Sequence, residues 1–171
     1  MEKELPKRKH PRLDYYDYSS QGAYFITICT QNRRNILSEI VGQGLAPTEE
    51  NDVFVKCTKY GEICTEQLYA IETRYEHVKI DKFVIMPNHI HFIINLDEKA
   101  AGASPRPTVM DVICSYKSLA AKKCRENGFN GKLFQTSFYE HIIRDRNDYN
   151  EIVRYIHENP INWKKDDLYI E

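Results

Sequence analysis

His89 and His91 stand one residue apart, just after Pro87-Asn88, at the head of the apolar run Ile90-His91-Phe92-Ile93-Ile94. Side chains alternate across a β-strand, so both imidazoles project from one face while Ile90 and Phe92 enter the core from the other. Two neighbouring neutral imidazoles can hold one divalent metal if a third ligand arrives from elsewhere in the chain. Near the C-terminus Tyr155 and Asn159 are four residues apart, which on a helix puts a phenol and an amide on one side. If that side lies across the sheet from the histidines, the site contains two imidazoles, an amide oxygen and a tyrosine hydroxyl around one cation. Phosphoryl transfer needs such an inventory: a nucleophile whose ordinary pKa is near 10, and a charge that activates it and offsets the negative charge of the transition state.

The elements that must position these groups follow from the apolar pattern. Ala23 to Thr30 is β-branched and aromatic and predicts a first strand. Ile40 to Asp52 has two glycines and a proline with no period and reads as a loop or short hairpin insertion. Apolar residues at helical spacing from about Val53 to Tyr75 predict a first helix with Cys57 and Cys64 on its core face. Val78 to Met86 and His89 to Leu96 read as an antiparallel hairpin turning at Pro87-Asn88. Asp97 to Pro107 is a linker-like loop, and Thr108 to Asn127 a second helix in which Thr108 and Asp111 approach the capping-box pattern. Leu133 to Ile143 fits a fourth strand, and Asp148 to Glu158 a final helix capped by Asp148 and stopped before Asn159-Pro160. This order is the split βαβ, ferredoxin-like arrangement: an α+β fold with one antiparallel sheet backed by two helices, plus a C-terminal helix that carries the tyrosine.

Val84-Ile85-Met86-Pro87-Asn88-His89-Ile90-His91-Phe92, the block Phe134 to Trp163 and the first strand at Ala23 to Thr27 resemble the single-tyrosine HUH transposases, in particular the REP-associated tyrosine transposases of bacteria. The resemblance implies that His89 and His91 are metal ligands, that Asn159 holds the place of a third polar ligand, and that Tyr155 is the nucleophile. It further implies Mg2+ or Mn2+ as cofactor, although imidazole ligands alone suit zinc and other transition metals as well. The implied activity is cleavage and rejoining of single-stranded DNA, on hairpin-forming repeats, through a 5′-phosphotyrosine with release of a 3′-OH. The implied assembly is a monomer or a homodimer.

The 171 residues fit one domain, divided as a basic arm over 1–22, a catalytic domain over 23–163 and an acidic tail over 164–171 that contains Asp166, Asp167 and Glu171. With 24 Lys+Arg against 25 Asp+Glu the net charge is -1, so attraction to nucleic acid has to come from local clusters. The candidates are Lys7, Arg8, Lys9 and Arg12 in the arm, Lys117, Lys122 and Lys123 on the second helix, and Arg144 and Arg154 around the last one. Five cysteines without a C-x-x-C pair and no apolar run of membrane-spanning length point to a cytoplasmic protein, and the resemblance implies that it is nucleoid-associated. Tyr139 and His141, in the strand before the last helix, offer a second phenol and base, although a strand Tyr-x-His is more often half-buried packing. Tyr149 is the rival nucleophile, although six helical residues turn it away from the side of Asn159. Trp163 reads as a packing anchor. Two other functions use the same residues: a catalytically idle nucleic-acid-binding module, which leaves the histidines and Tyr155 without a task, and a small zinc hydrolase, which makes Tyr155 dispensable.

Overall fold

The computed structural model describes residues 22–42, 53–97 and 107–170. The arm residues Lys7, Arg8, Lys9 and Arg12 lie outside the described residues. The described chain runs β1 (Gly22–Cys29), β2 (Ser38–Val41), β3 (Phe54–Cys57), α1 (Lys59–Arg74), β4 (Val78–Ile85), β5 (His89–Leu96), α2 (Val109–Glu126), β6 (Tyr139–Ile143) and α3 (Arg146–Glu158).

Four strands form one antiparallel sheet in the order β4-β5-β1-β6, the topology expected of the ferredoxin-like fold. Alternation along β1 sends Tyr24, Ile26 and Ile28 to one face, where they meet Leu68 and Ile71 of α1 and Val112, Ile113 and Tyr116 of α2 in the main core. Phe25 faces the other way, where it joins Ile93 and, from α3, Ile152 and Ile156. Burial of each such side chain stabilises the fold by about 1.5–3 kcal/mol. Covered on both faces, the central strand β5 is buried over nearly its whole length, and its two histidines point to the α3 side.

The turn between β4 and β5 is bolted in place. Met86 N–H donates to His89 O at 2.9 Å across Pro87-Asn88, Thr30 N–H donates to Asn88 O, and Ile36 and Leu37 N–H both donate to Pro87 O. These bonds fix where the first histidine leaves the turn.

Several boundaries differ from the sequence reading. The helix expected from Val53 begins only at Lys59, because Phe54–Cys57 pairs with Ser38–Val41 as a two-stranded antiparallel ribbon. Cys57 therefore sits on a strand, and Thr58 is the N-cap, its Oγ1 accepting from Gly61 N–H. The fourth strand is shorter than Leu133–Ile143: it starts at Tyr139, with Phe134 making an isolated bridge to Thr30. Helix α3 starts two residues earlier than expected and is capped by Asp145, whose carboxylate accepts from Asn147 and Asp148 N–H. Helix α2 has its capping box as expected: Thr108 Oγ1 accepts from Asp111 N–H and the Asp111 carboxylate accepts from Thr108 N–H. No helix among the described residues is long and apolar enough to cross a membrane.

Candidate active site

The site lies where β5 and β1 face α3 and the segment that follows it. His91 pairs with Thr27 across the β5–β1 ladder. Its Nδ1 is held by Thr27 Oγ1 at 2.8 Å, and His89 Nδ1 is held by Asn88 Oδ1 at 2.8 Å. With Nδ1 engaged on each ring, the remaining polar atom is Nε2, the arrangement by which outer contacts orient metal-binding histidines. The ring centroids are 4.4 Å apart. Burial, offset in part by the Asp166 carboxylate, lowers His89 to about 4; burial and the neighbouring His89 lower His91 well below the usual histidine value. Both rings are thus neutral near pH 7, with lone pairs available.

Helix α3 brings the second group. A stripe at i, i+4, i+7 and i+11 spacing carries Asp148, Ile152, Tyr155 and Asn159 toward the sheet, with Ile152 anchoring it on Phe25 and Ile93. Tyr155 is 44% exposed, and its Oη lies 3.4 Å from His91 Nε2 and 3.3 Å from Asp166 Oδ2, to which it donates. Burial and the Asp166 carboxylate push the phenol up to about 12. Asn159 is buried just beyond the last turn, its Nδ2 donating to Asp166 Oδ2 at 2.6 Å.

Two buried atoms here, His89 Nε2 and Asn159 Oδ1, have no hydrogen-bond partner among the described residues. A buried acceptor left unpaired is costly, and one nitrogen plus one oxygen lone pair at one place is what a divalent cation satisfies. Ligand atoms of His89, His91 and Asp166 all lie within 4.8 Å of one another. The donor set, two imidazoles with a carboxylate and an amide oxygen available, fits a divalent metal.

Asp166 was absent from the sequence-derived site. It belongs to the stretch assigned to an acidic tail, yet that stretch folds over the site. Trp163 is buried against the His89 ring at 5.8 Å and against Tyr169 at 5.2 Å, as a packing anchor. Arg33 donates to Asp167 O, Asn35 to Ile170 O and Asn88 to Leu168 O. The signal in the sequence was an acid seven residues after Asn159 and three after a tryptophan, in a stretch otherwise read by its net charge.

The remaining candidates are dispersed. Tyr149 is occupied: its hydroxyl donates to Asp81 at 2.5 Å, on the β4 side. Lys117 donates to the carbonyls of Gln135 and Thr136 at 2.8 Å each. Lys122 and Lys123 both approach Glu126, on a helix packed against the sheet face opposite the histidines. Arg144 and Arg154 are exposed beside and on α3, the helix that carries Tyr155. Tyr139 and His141 lie on β6 in the same groove as Tyr155.

A tyrosine hydroxyl thus lies beside a buried histidine pair on the antiparallel sheet. Residues 18–159 match the IS200-like transposases, and the chain belongs to that family. An uncharacterized protein of Haemophilus influenzae (strain KW20 / Rd) is 34% identical, over 96% of this chain and 94% of its own length. A second protein of that strain, described as a "putative REP-associated tyrosine transposase", is 26% identical over 85% of this chain and 73% of its own. Among solved structures, a REP-associated tyrosine transposase bound to a REP hairpin superposes with a TM-score of 0.59 at 23% identity, covering 89% of this chain and 74% of that one. This last likeness concerns the fold.

Proposed function

We propose that the protein is a divalent-metal-dependent, single-stranded DNA endonuclease and strand transferase that acts through Tyr155 on hairpin-forming DNA. The observation that carries the reading is the approach of Tyr155 Oη to His91 Nε2, with Asp166 and Asn159 completing the surround. The hairpin substrate is taken from the structural relative, which is bound to a REP hairpin.

His89 and His91 would hold the metal together with an oxygen of Asp166 or Asn159. When bound, Mn2+ or Mg2+ supplies Lewis-acid stabilisation of the charge that develops on the phosphate. The chain's own groups do the rest. Asp166 accepts the phenol hydrogen bond and so holds the hydroxyl in one orientation at the groove that both residues line. Attack forms the Tyr155 Oη–P bond and breaks the P–O3′ bond; the phenol proton leaves toward Asp166 and solvent, and the departing oxygen takes a proton from water as a 3′-OH. Reversal by another 3′-OH rejoins the strand and restores the phenol, with no external energy source. Phe25 stacks on His91 and edges onto Tyr155, which keeps the nucleophile over the sheet. Arg144 and Arg154 are exposed close to this helix and are suited to contact phosphates.

The test is incubation of a labelled single-stranded hairpin with flanking sequence and Mn2+ or Mg2+, followed by denaturing electrophoresis of wild type beside Tyr155→Phe. A covalent adduct lost in Tyr155→Phe is expected. Binding without adduct or cleavage in any metal would make the protein a binding module, and cleavage that survives in Tyr155→Phe would make water the nucleophile.

A further inference from the structure

We propose that Tyr139, His141 and Asp148 form a nucleobase subsite in the wall of the groove, holding a base within a nucleotide or two of the scissile phosphate; this rests on the single-strand reading of the site.

Register places the pair. Tyr139 lies opposite Thr27 and His141 opposite Phe25 across the β1–β6 ladder, and Thr27 is itself opposite His91 on the other side. Both side chains therefore share the sheet face of the histidines, and both line the groove that contains His91 and Tyr155. Phe25 links the two ends: Tyr139 edges onto it at 6.4 Å and Tyr155 at 6.0 Å, so a single ring separates the nucleophile from Tyr139.

The chemistry of this wall suits a base rather than a phosphate. Tyr139 is 52% exposed, an aromatic surface open to the groove, and an open aromatic surface is a platform for a stacked base. On this side of the groove α3 contributes Asp148 and Glu151, and no lysine or arginine of the described residues lines it except Lys165, beyond the helix. Carboxylates repel a phosphodiester backbone but accept hydrogen bonds from the N–H groups at a base edge. A strand crossing here is expected to turn its backbone outward and its base inward.

His141 supplies a directed contact. Its Nε2 meets both Asp148 oxygens, at 2.9 and 3.0 Å. Asp148 also accepts Arg144 N–H at 3.0 Å, and these bonds outweigh burial to hold its carboxyl below the usual range. An ionised carboxylate only accepts, so Nε2 carries the hydrogen, and Nδ1 is the ring's remaining polar atom. The His141 side chain is 37% exposed. The packing role read from the sequence is thus incomplete: Asp148 holds the tilt of a ring that lines the groove beside Tyr139.

Binding, separated from chemistry, tests this. The Tyr155→Phe protein with Mn2+ is titrated with a labelled hairpin flanked by single strands, each flanking position set in turn to adenine, unsubstituted purine or an abasic site. One position is expected at which the abasic site weakens binding about tenfold or more, the penalty falling below about twofold when Tyr139→Ala is added and persisting with Tyr139→Trp. There, purine, which stacks but offers no amino group to the carboxylates of this wall, is expected to bind several-fold more weakly than adenine, a difference that shrinks in His141→Ala, which leaves Asp148 without the ring that holds it. A hairpin bound with no position whose penalty depends on Tyr139 overturns the subsite. Because the readout is non-covalent, a wild type that forms no adduct but retains the Tyr139-dependent position would lose the transferase reading and keep the subsite.

Discussion

Asp166 accepts the Asn159 side-chain amide at 2.6 Å, so the two residues that can offer an oxygen to the histidine pair are tied to one another. The carboxylate is the stronger ligand for a hard cation, and it also stands within 4.8 Å of both imidazoles. Asp166→Ala is therefore expected to weaken Mn2+ binding about tenfold or more, measured by calorimetry or by the spin resonance of free Mn2+. An unchanged affinity in Asp166→Ala together with a loss in Asn159→Ala would assign the third position to the amide.

Gly61 records how tightly the ribbon is set on α1. A Cβ at this position would stand 2.0 Å from Leu37 O, a backbone atom whose own N–H is bonded to the hairpin turn. Gly61→Ala improves helix propensity by about 1 kcal/mol, but relief of the clash must move Leu37 and with it the contacts to Pro87. The clash is expected to win, with a net loss of about 1–3 kcal/mol, read from chemical denaturation. A variant as stable as wild type would mean that the β2 entry shifts without cost.

The sheet was legible because its periods are clean. Tyr24, Ile26 and Ile28 alternate with Phe25 and Thr27, and the hairpin at Pro87-Asn88 announces itself by a proline between two apolar runs. The same alternation put His89 and His91 on one face, and the helical spacing brought Tyr155 and Asn159 to one side. What the sequence hid was tertiary. Phe54–Cys57 continues a helical pattern into α1, but pairing with Ser38–Val41 overrides it. Asp148 has the look of a helix cap, yet Asp145 takes that role and frees Asp148 for His141. Asp166 follows a proline and a tryptophan beyond the last helix, and no local period says that such a segment folds back on a site.

Lys117 separates a structural cation from a nucleic-acid contact. Its ammonium satisfies the carbonyls of Gln135 and Thr136 in the stretch leading into β6, and burial lowers its pKa. Lys117→Met is expected to cost about 1–2 kcal/mol of stability and to leave the salt dependence of DNA binding unchanged. A residue on a phosphate would instead reduce the salt slope by about 1, the outcome expected for Arg154→Ala. A reduced slope for Lys117→Met at full stability would return it to the DNA surface.

The N-terminus of α2 gives the fold an acid-sensitive element far from the histidines. Thr108 N–H and then the Thr108 hydroxyl donate to Asp111, which lowers its carboxyl below the usual value. A carboxyl lowered on folding adds stability that is complete above the unfolded pKa of about 3.9 and is lost as the pH falls through the folded value. Asp111→Asn is therefore expected to melt below wild type at pH 7, the gap closing as both proteins are taken below about pH 3. Thr108→Ala removes the hydroxyl half of the box and is expected to cost about 1 kcal/mol, or about 2–4 °C in Tm. Because α2 packs on the face opposite His89 and His91, adduct formation by either variant at a temperature well below its Tm is expected to match wild type. A gap that widened toward acid pH would mean that Asp111 is ionised less readily in the fold than in the open chain, contrary to the two donors that face it.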